Sequence, residues 1–300
     1  MSAPSATASV HANRLPIWLA ASRPRTLTAA VVPVLVGLAL AYRAGHVDAL
    51  VGFATLAAAI LIQIGTNLAN DYFDFVSGTD TETRLGPTRI TQAGLAEPAA
   101  VRNAAFAMLG LAAALGLFLV SVGGWPILTV GLLSILAAIA YSAGPYPLAY
   151  NGLGDAFVFV FFGLIAVNGT LFLQMGRVTF LSVLSSIPVA CLATAILVVN
   201  NLRDLETDKV AGKRTLAVRL GSKFARAEYV TLVSAAFLTA PVMAWLASAT
   251  LLLPLCAMPS AIQQTRALYR RSGAALNRSL AGTAALHTVY GLLLVLAIIL

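Results

Sequence analysis

The sequence is poor in charged residues and in residues that bind soft metals. Charged side chains make up 10% of the 300 residues and hydrophobic ones 59%, whereas soluble domains carry about 25% charged residues. This composition excludes an ordinary water-soluble domain. The only two cysteines, Cys191 and Cys256, lie in apolar runs without a Cys or His at metal-ligand spacing. A disulfide framework and a zinc site are therefore not expected.

Long apolar runs occupy most of the sequence from Thr26 to Leu300. Runs of this kind are long enough to cross a bilayer as helices. Breaks in hydropathy divide them into about nine spans, at roughly 26–43, 50–71, 99–121, 126–142, 154–174, 179–202, 228–247, 249–265 and 281–300. We expect an all-α, polytopic transmembrane helical bundle, with residues 1–20 as a cytoplasmic N-terminal tail and residues 21–300 as a single transmembrane domain.

Basic residues are concentrated in alternate loops between these spans. Of the 19 Lys and Arg, only Arg43 and Arg177 fall on the opposite face, and of the 11 Asp and Glu only Asp48 does. The positive-inside rule makes the basic face cytoplasmic, together with the N-terminus. The net charge of +8 therefore reflects orientation, and no nucleic-acid partner is expected. We predict a multi-pass protein of the inner (plasma) membrane.

Four polar residues close the second predicted span, in the run Asn67-Leu-Ala-Asn70-Asp71-Tyr-Phe-Asp74. The helical period places them on adjoining turns of one face. Ionisable side chains in or beside membrane spans are costly unless they face a cavity or each other, and they are usually functional. The run therefore predicts a polar site at this helix end.

A second polar cluster closes the sixth predicted span, in the run Asn200-Asn-Leu-Arg203-Asp204-Leu-Glu-Thr-Asp208. Asn200 precedes Asp204 by four residues, as Asn67 precedes Asp71. Oxygen ligands without His or Cys favour Mg²⁺, which binds through a few carboxylates and through substrate phosphates. We predict a Mg²⁺ site shared by the two helix ends, with the ligands Asn67, Asp71, Asp74, Asn200, Asp204 and Asp208.

Basic residues follow both acidic clusters along the chain. Arg89 follows the first cluster, and Lys213 and Arg214 follow the second. Arginine offers a bidentate fork to phosphate oxygens and lysine a point charge. This arrangement predicts an anionic substrate, most simply a diphosphate. Paired carboxylates that serve as a proton relay or ion pathway in a transporter are the alternative.

The paired motifs resemble those of the UbiA superfamily of intramembrane prenyltransferases, over roughly residues 20–300. The first motif of that family reads Asn-x3-Asp-x3-Asp. Asn67 and Asp71 fit it, but the next acid comes one residue early at Asp74, and Asp80 follows a glycine. This variant is similar to the branch that prenylates 1,4-dihydroxy-2-naphthoate. The segments Arg23-Pro-Arg25-Thr26, 141–155 and 200–215 carry the same similarity.

The resemblance implies nine helices around a central cavity, with a lateral opening for a lipid tail and the active site at the cytoplasmic end. It implies transfer of a polyprenyl group from its diphosphate to 1,4-dihydroxy-2-naphthoate, with loss of CO₂, giving demethylmenaquinone. The implied cofactor is Mg²⁺, and the implied partners are a polyprenyl diphosphate, an aromatic hydroxy acid and the lipid bilayer. Other aromatic acceptors, such as 4-hydroxybenzoate or homogentisate, are alternatives within the superfamily.

The chemistry of prenyl transfer suggests a role for each candidate residue. Breaking an allylic carbon–oxygen bond leaves a carbocation and a diphosphate, and metal ions with Arg and Lys stabilise the anion. The residues assigned to catalysis are Asp71, Asp204, Lys213 and Tyr141, the tyrosine facing the cation through its ring. Those assigned to substrate binding are Arg25, Asn70, Arg89, Tyr146, Arg203 and Arg214.

Overall fold

A computed structural model describes residues 15–80 and 84–300, without the side chains of residues 15, 16 and 25. Within these ranges the chain is helical and contains no strand, which confirms the all-α prediction. The helices are α1 (Leu15–Ala21), α2 (Pro24–Arg43), α3 (Ala49–Val76), α4 (Pro98–Ala140), α5 (Gly154–Val158), α6 (Ala166–Met175), α7 (Phe180–Arg203), α8 (Leu205–Val210), α9 (Leu216–Leu246), α10 (Met258–Arg270) and α11 (Leu276–Ile299). A π-helical turn, Phe159–Ile165, joins α5 to α6, and a 3₁₀ segment, Ala249–Ala257, precedes α10.

Seven helical stretches of the described chain are long and apolar enough to cross a membrane, so the protein is a multi-pass membrane protein. The 43-residue α4 breaks at Gly124, where φ is 67° and ψ is −156°, a conformation that glycine adopts without strain. This break separates two predicted spans. The predicted span 249–265 instead combines the 3₁₀ segment with α10, whose polar residues include Gln263 and Arg266. The count of nine spans is therefore approximate.

Helix α7 lies at the centre of the bundle, where it packs against α9, α11, α2 and the π-helical turn. Most of its side chains are buried, from Ser182 to Arg203. A Cβ atom on Gly163 would lie 2.1 Å from the Cβ of Ala190. Only glycine therefore allows the π-helical turn to approach α7 this closely, as small residues commonly do where membrane helices touch.

Helix α1 belongs to the packed body of the protein. Its residues Ile17, Trp18 and Ala21 pack against Leu68 of α3 and against Ile90. The packed unit therefore begins before the predicted boundary at residue 20. The rest of the predicted tail, residues 1–14, lies outside the described residues.

The carboxyl ends of α3 and α7 lie at the same end of the bundle. Long-range hydrogen bonds join the connecting segments that follow these helices. The Arg214 N–H donates to the Tyr150 carbonyl at 2.7 Å, and the Asn277 side chain donates to the Leu85 carbonyl at 2.7 Å. The connections after α3, α4 and α7 and the start of α11 therefore surround one region.

Candidate active site

A polar cavity of about 620 Å³ lies at this end of the bundle, and both acidic clusters contribute to its wall. Its carboxylates and nearby amides come from α3, α7, α8 and the loop after α3. They include Asn70, Asp74, Asp80, Asn200, Asp204 and Asp208. Five cations from four segments face the same space, namely Arg23, Arg84, Arg89, Arg203 and Lys213. The cavity is therefore built to hold an anion and a metal ion together.

Three of the four polar residues of the first acidic cluster face the cavity, namely Asn67, Asn70 and Asp74. Asp71 does not line the cavity; its two buried carboxylate oxygens accept the N–H groups of Ile90 and Thr91, both at 3.1 Å. Asn70 and Asp74, three residues further on, have the same four-residue spacing and do line it. Asp71 instead fixes the loop that carries Arg89.

Asn67 lines the cavity, but its amide also ties two helices together. Its Nδ2 donates to the Ser22 carbonyl at 2.9 Å and lies 3.2 Å from Thr26 Oγ1. These bonds connect α3 to the turn before α2 and to its first residues. The Nδ2 atom of Asn67 therefore holds α2 against α3, and its Oδ1, the atom that could ligate a metal ion, is not used by these bonds.

Asp74 is the most highly connected carboxylate of the cavity. Its Oδ2 lies 2.9 Å from Arg89 Nη2 and 3.5 Å from Lys213 Nζ, and its Oδ1 accepts the Tyr150 hydroxyl. Arg89 Nε lies 3.2 Å from Asp80 Oδ2. Asp74 is buried, and the cations beside it offset the cost of burying a carboxylate, the form that ligates metal ions.

The second acidic cluster is organised by Arg203, whose side chain is completely buried. Its guanidinium donates to both oxygens of Asp204, at 2.8 and 2.5 Å, and to Asn200 Oδ1 at 2.9 Å. A fork of this kind fixes the planes of its partners. Arg203 was predicted to bind substrate, and here it orients the two residues that were predicted to bind metal.

Asp208 lies on α8, one turn beyond Asp204, with an oxygen 4.0 Å from Lys213 Nζ. Burial raises the pKa of Asp208 to about 7, and Asp204 and Asp74 add to the rise while Lys213 opposes it. A divalent cation beside these acids would favour the ionised form.

The donor chemistry of the cavity fits Mg²⁺. All of the acidic and amide side chains named above offer oxygen, and the buried Oδ2 of Asp80 accepts no hydrogen bond. Across the described residues no group of three His, Cys, Asp or Glu is arranged to hold a metal. Mg²⁺ typically binds through one or two carboxylates, substrate phosphates and waters, so paired acids on two helix ends suit it.

An apolar cavity of about 340 Å³ adjoins the polar one. Gln63, Thr66 and Tyr141 line both cavities, which places them at the junction. Aliphatic side chains of α2, α3, α4 and α6 form most of the remaining wall, with Phe157 and Phe161 stacked at 5.6 Å between ring centroids. The combined space offers a charged chamber for a head group and an apolar chamber for a tail.

The model of the UbiA prenyltransferase family matches residues 30–297.

The chain belongs to the UbiA prenyltransferase family.

Several curated relatives are similar over most of the chain, and they confirm the family that the sequence motifs indicated. The 1,4-dihydroxy-2-naphthoate octaprenyltransferase of Escherichia coli K12 is 41% identical over 227 residues, which is 74% of each chain. The Mycobacterium tuberculosis protein of the same name is 40% identical over 73% of this chain and 75% of its own. UbiA prenyltransferase domain-containing protein 1 of Mus musculus is 32% identical over 94% of this chain and 84% of its own.

Solved UbiA structures share the fold. A UbiA homolog from Archaeoglobus fulgidus bound to DMAPP and Mg²⁺ superposes with a TM-score of 0.65, at 16% identity, over 93% of this chain and 98% of that one. The apo UbiA homolog from Aeropyrum pernix K1 gives the same TM-score over 89% and 97%. At 16% identity this similarity establishes the fold of the chain. The chemistry of the site has to be inferred from the residues of this chain.

The remaining predicted residues divide between the wall of the cavity and its surroundings. Lys213 lines the cavity, and its Nζ lies 4.6 Å from the centroid of the Tyr150 ring. Arg214 is exposed and does not line the cavity, and Tyr146 is 58% exposed and outside it as well. The side chain of Arg25, predicted to bind diphosphate, lies outside the described part of the chain.

Tyr150 is a residue of the cavity that was not predicted from the sequence. Its hydroxyl group contacts Asp74, Thr79 at 3.0 Å and Ser77 at 3.3 Å. Burial, and then the charge of Asp74, raises the pKa of Tyr150, so it stays a hydroxyl donor at neutral pH. The stretch 141–155 was noted for its resemblance to the family, but nothing in it distinguishes Tyr150 from exposed Tyr146.

Arg23 was also missed as a residue of the cavity. It precedes α2 in a left-handed conformation with φ of 52°, the only positive φ of a non-glycine residue in the described ranges. Such strain is found mainly at functional sites. Burial, with Arg89 and Arg84 nearby, lowers the pKa of Arg23 to about 9. The guanidinium of Arg23 is therefore available to bind an anion in the cavity.

Proposed function

We propose that this UbiA-family enzyme transfers a polyprenyl group from its diphosphate to 1,4-dihydroxy-2-naphthoate, with loss of CO₂, to give demethylmenaquinone. The observation that carries the proposal is the junction of a charged chamber, lined by both acidic clusters, with an apolar chamber. This shape suits a diphosphate attached to a hydrocarbon tail. The names of the relatives at about 40% identity supply the acceptor. They favour 1,4-dihydroxy-2-naphthoate over 4-hydroxybenzoate and homogentisate.

Mg²⁺ is the proposed cofactor, and when bound it would neutralise charge on the departing diphosphate. The proposed ligands are Asn67, Asn70, Asp74, Asp80, Asn200, Asp204 and Asp208, all on the wall of the cavity. Asp71 leaves the set that the sequence suggested, because it does not line the cavity and its oxygens accept the N–H groups of Ile90 and Thr91. Asn67 stays in the set, because it lines the cavity and its two hydrogen bonds involve only Nδ2.

The cations of the cavity are proposed to bind the diphosphate. Arg89 and Lys213 now pair with Asp74, and Arg23 lies nearby without a hydrogen-bonded partner for its guanidinium among the described residues. Charge-assisted contacts of Arg and Lys to phosphate oxygens are strong where water is excluded. These groups therefore bind the leaving group where negative charge develops.

Tyr141 is proposed to face the allylic carbocation. It stands at the junction of the two chambers, where the bond between head group and tail would lie. A ring face attracts a cation within about 6 Å, and the apolar walls keep water from capturing it. The aromatic acceptor would approach the same point from the polar chamber.

The decisive test of this function is a substrate panel on purified protein. Octaprenyl and geranyl diphosphates are each incubated with 1,4-dihydroxy-2-naphthoate, 4-hydroxybenzoate and homogentisate, and products are identified by mass spectrometry. We expect decarboxylated, prenylated naphthoquinol alone, lost with EDTA and restored by Mg²⁺. Prenylation of another acceptor in preference would reject the naphthoate assignment, and no product with any acceptor would reject prenyl transfer.

The proposed topology places the active site at the cytoplasmic face of the inner membrane. Cysteine at Ser77 or Ser222 should react with an impermeant thiol reagent from the cytoplasmic side only, and cysteine at Gly176 from the other side only, because basic loops remain inside. Cys191 and Cys256 are first replaced by alanine. Labelling of Ser77 and Ser222 positions from opposite sides would contradict both the topology and a shared metal site.

Lys213 and its neighbour Arg214 offer a matched pair for testing diphosphate binding. Lys213→Ala should raise the KM for the prenyl diphosphate and lower kcat, because a charge facing the leaving group is lost at a cost of about 2–5 kcal/mol. Arg214→Ala should change both constants less than about threefold, since exposed charges contribute little. Steady-state kinetics with each substrate varied in turn measures both. Equal losses in the two variants would argue against this assignment of Lys213.

A further inference from the structure

One amide near the start of α11 connects the two acidic motifs through the loop between α3 and α4. Asn277 Oδ1 accepts Arg203 Nη1 at 2.9 Å, and Asn277 Nδ2 donates to the Leu85 carbonyl at 2.7 Å. Asn277 also lines the polar cavity. Its partners lie 74 and 192 residues away in the sequence, so the contact holds distant parts of the fold together.

The loop segment that Asn277 holds, residues 84–89, is here called the strap. It carries two of the cavity's cations, Arg84 and Arg89, which pair with Asp80 and Asp74 of the first motif. The strap passes close to the second motif as well, because a Cβ on Gly86 would lie 2.8 Å from Arg203 Nη2. The position of the strap therefore sets where these two cations stand.

Two other contacts determine how the strap is held. Its carboxyl end is fixed from the first motif, since Asp71 accepts the N–H groups of Ile90 and Thr91. Near its amino end, Arg84 Nε donates to the Pro87 carbonyl within the strap at 3.3 Å. Among the described hydrogen bonds, the one from Asn277 to the Leu85 carbonyl joins this end of the strap to α11 and, through Arg203, to the second motif.

We propose that Asn277 is a positioning residue that holds the strap against the second motif, so that Arg84 and Arg89 are placed to bind the prenyl diphosphate. Only a side chain with a donor and an acceptor can join the Arg203 guanidinium to a backbone carbonyl. Aspartate at this position keeps the acceptor for Arg203, loses the donor and sets a charged oxygen against the Leu85 carbonyl. The assignment of the ligand rests on the function proposed above.

The first experiment measures the strap directly and needs no turnover. A nitroxide spin label is attached to cysteine at exposed Thr88, with Cys191 and Cys256 replaced by alanine, and its mobility is read by EPR in detergent-purified protein. Asn277→Asp should convert a motionally restricted spectrum into a mobile one. Asn151→Asp is the matched control: it removes an amide donor to another loop carbonyl, Pro147 at 2.8 Å, and its side chain does not line the cavity.

The second experiment measures binding through kinetics without the label. Asn277→Asp should raise the KM for the prenyl diphosphate about tenfold, the loss expected for one hydrogen bond that orders charged groups, with the acceptor KM within about twofold. Asn277→Gln should recover part of the loss, because it keeps both polar groups. If Asn277→Asp is not recovered as monodisperse protein, Asn277→Ser replaces it in both measurements.

Each outcome decides a separate claim. If the label is no more mobile in Asn277→Asp than in Asn151→Asp, Asn277 does not hold the strap in place. A mobile strap with equal rises in both KM values would overturn its role in diphosphate binding. Absence of prenyl transfer in the unmodified protein would defeat the proposed function, while the spin-label result would still decide whether Asn277 holds the strap.

Discussion

Asp74→Ala and Asp204→Ala should each lower the rate of prenyl transfer about 10²- to 10³-fold, the loss that follows removal of one preorganised electrostatic group from an active site. Asp74 pairs with Arg89 and Lys213, and Asp204 pairs with Arg203. Each substitution removes a proposed metal ligand and leaves buried cations without their partner. Initial rates at saturating Mg²⁺ measure the loss, and thermal unfolding in detergent checks that the bundle remains folded.

Asp71 provides the contrasting case on the same helix. Asp71→Asn loses one of two acceptors for the Ile90 and Thr91 N–H groups, so the free energy of unfolding should fall by about 1–3 kcal/mol. The Mg²⁺ concentration that gives half-maximal rate should stay close to that of the unmodified protein, whereas Asp74→Asn should raise it. The opposite ranking, with Mg²⁺ dependence altered at Asp71 and intact at Asp74, would restore Asp71 as the ligand.

Most of the fold could be predicted from the sequence because the lipid environment imposes simple rules. Apolar runs must become helices, since backbone groups in lipid have to be satisfied within the segment. The break in α4 was visible as the gap between the predicted spans 99–121 and 126–142, near Gly124. The segment 249–265 was ambiguous, because its apolar residues continue into a polar helix, α10.

The register of the first acidic motif could not be predicted from spacing. Asn67 and Asp71 have the same separation as Asn70 and Asp74, and all four lie on adjoining helical turns. The two pairs are distinguished by the loop that follows α3. The N–H groups of Ile90 and Thr91 in this loop donate to the carboxylate of Asp71, whereas Asp74 lines the cavity. A contact between a helix and a loop about 20 residues later leaves no periodic pattern to detect.

Residues that organise the site from a distance were missed for the same reason. Tyr150 reaches Asp74 across 76 positions, and Asn277 reaches Leu85 across 192. Both are ordinary residue types, and neither lies beside an acidic cluster in the sequence. By contrast, Arg89 and Lys213 were found because a cation that follows an acidic motif is a local signal.

Gly131→Phe should make the enzyme selective for short prenyl chains. Gly131 lines the apolar chamber, and a Cβ added there has no other atom within 4 Å, so a phenyl ring enters open space instead of displacing a neighbour. Each CH₂ group that a tail buries contributes about 0.8 kcal/mol. Excluding one five-carbon unit removes about 4 kcal/mol on this scale, so kcat/KM for octaprenyl diphosphate should fall about 10³-fold, with a much smaller change for geranyl diphosphate.

Gly110→Phe is the matched control for this selectivity, because it makes the same change on the same helix, α4. Gly110 is also free of contacts within 4 Å, but it is exposed on the outer surface and does not line the chamber. Its ratio of octaprenyl to geranyl rates should equal that of the unmodified protein. If Gly131→Phe slowed both substrates equally, the tail would have to bind elsewhere, and the apolar chamber would lose its role in prenyl transfer.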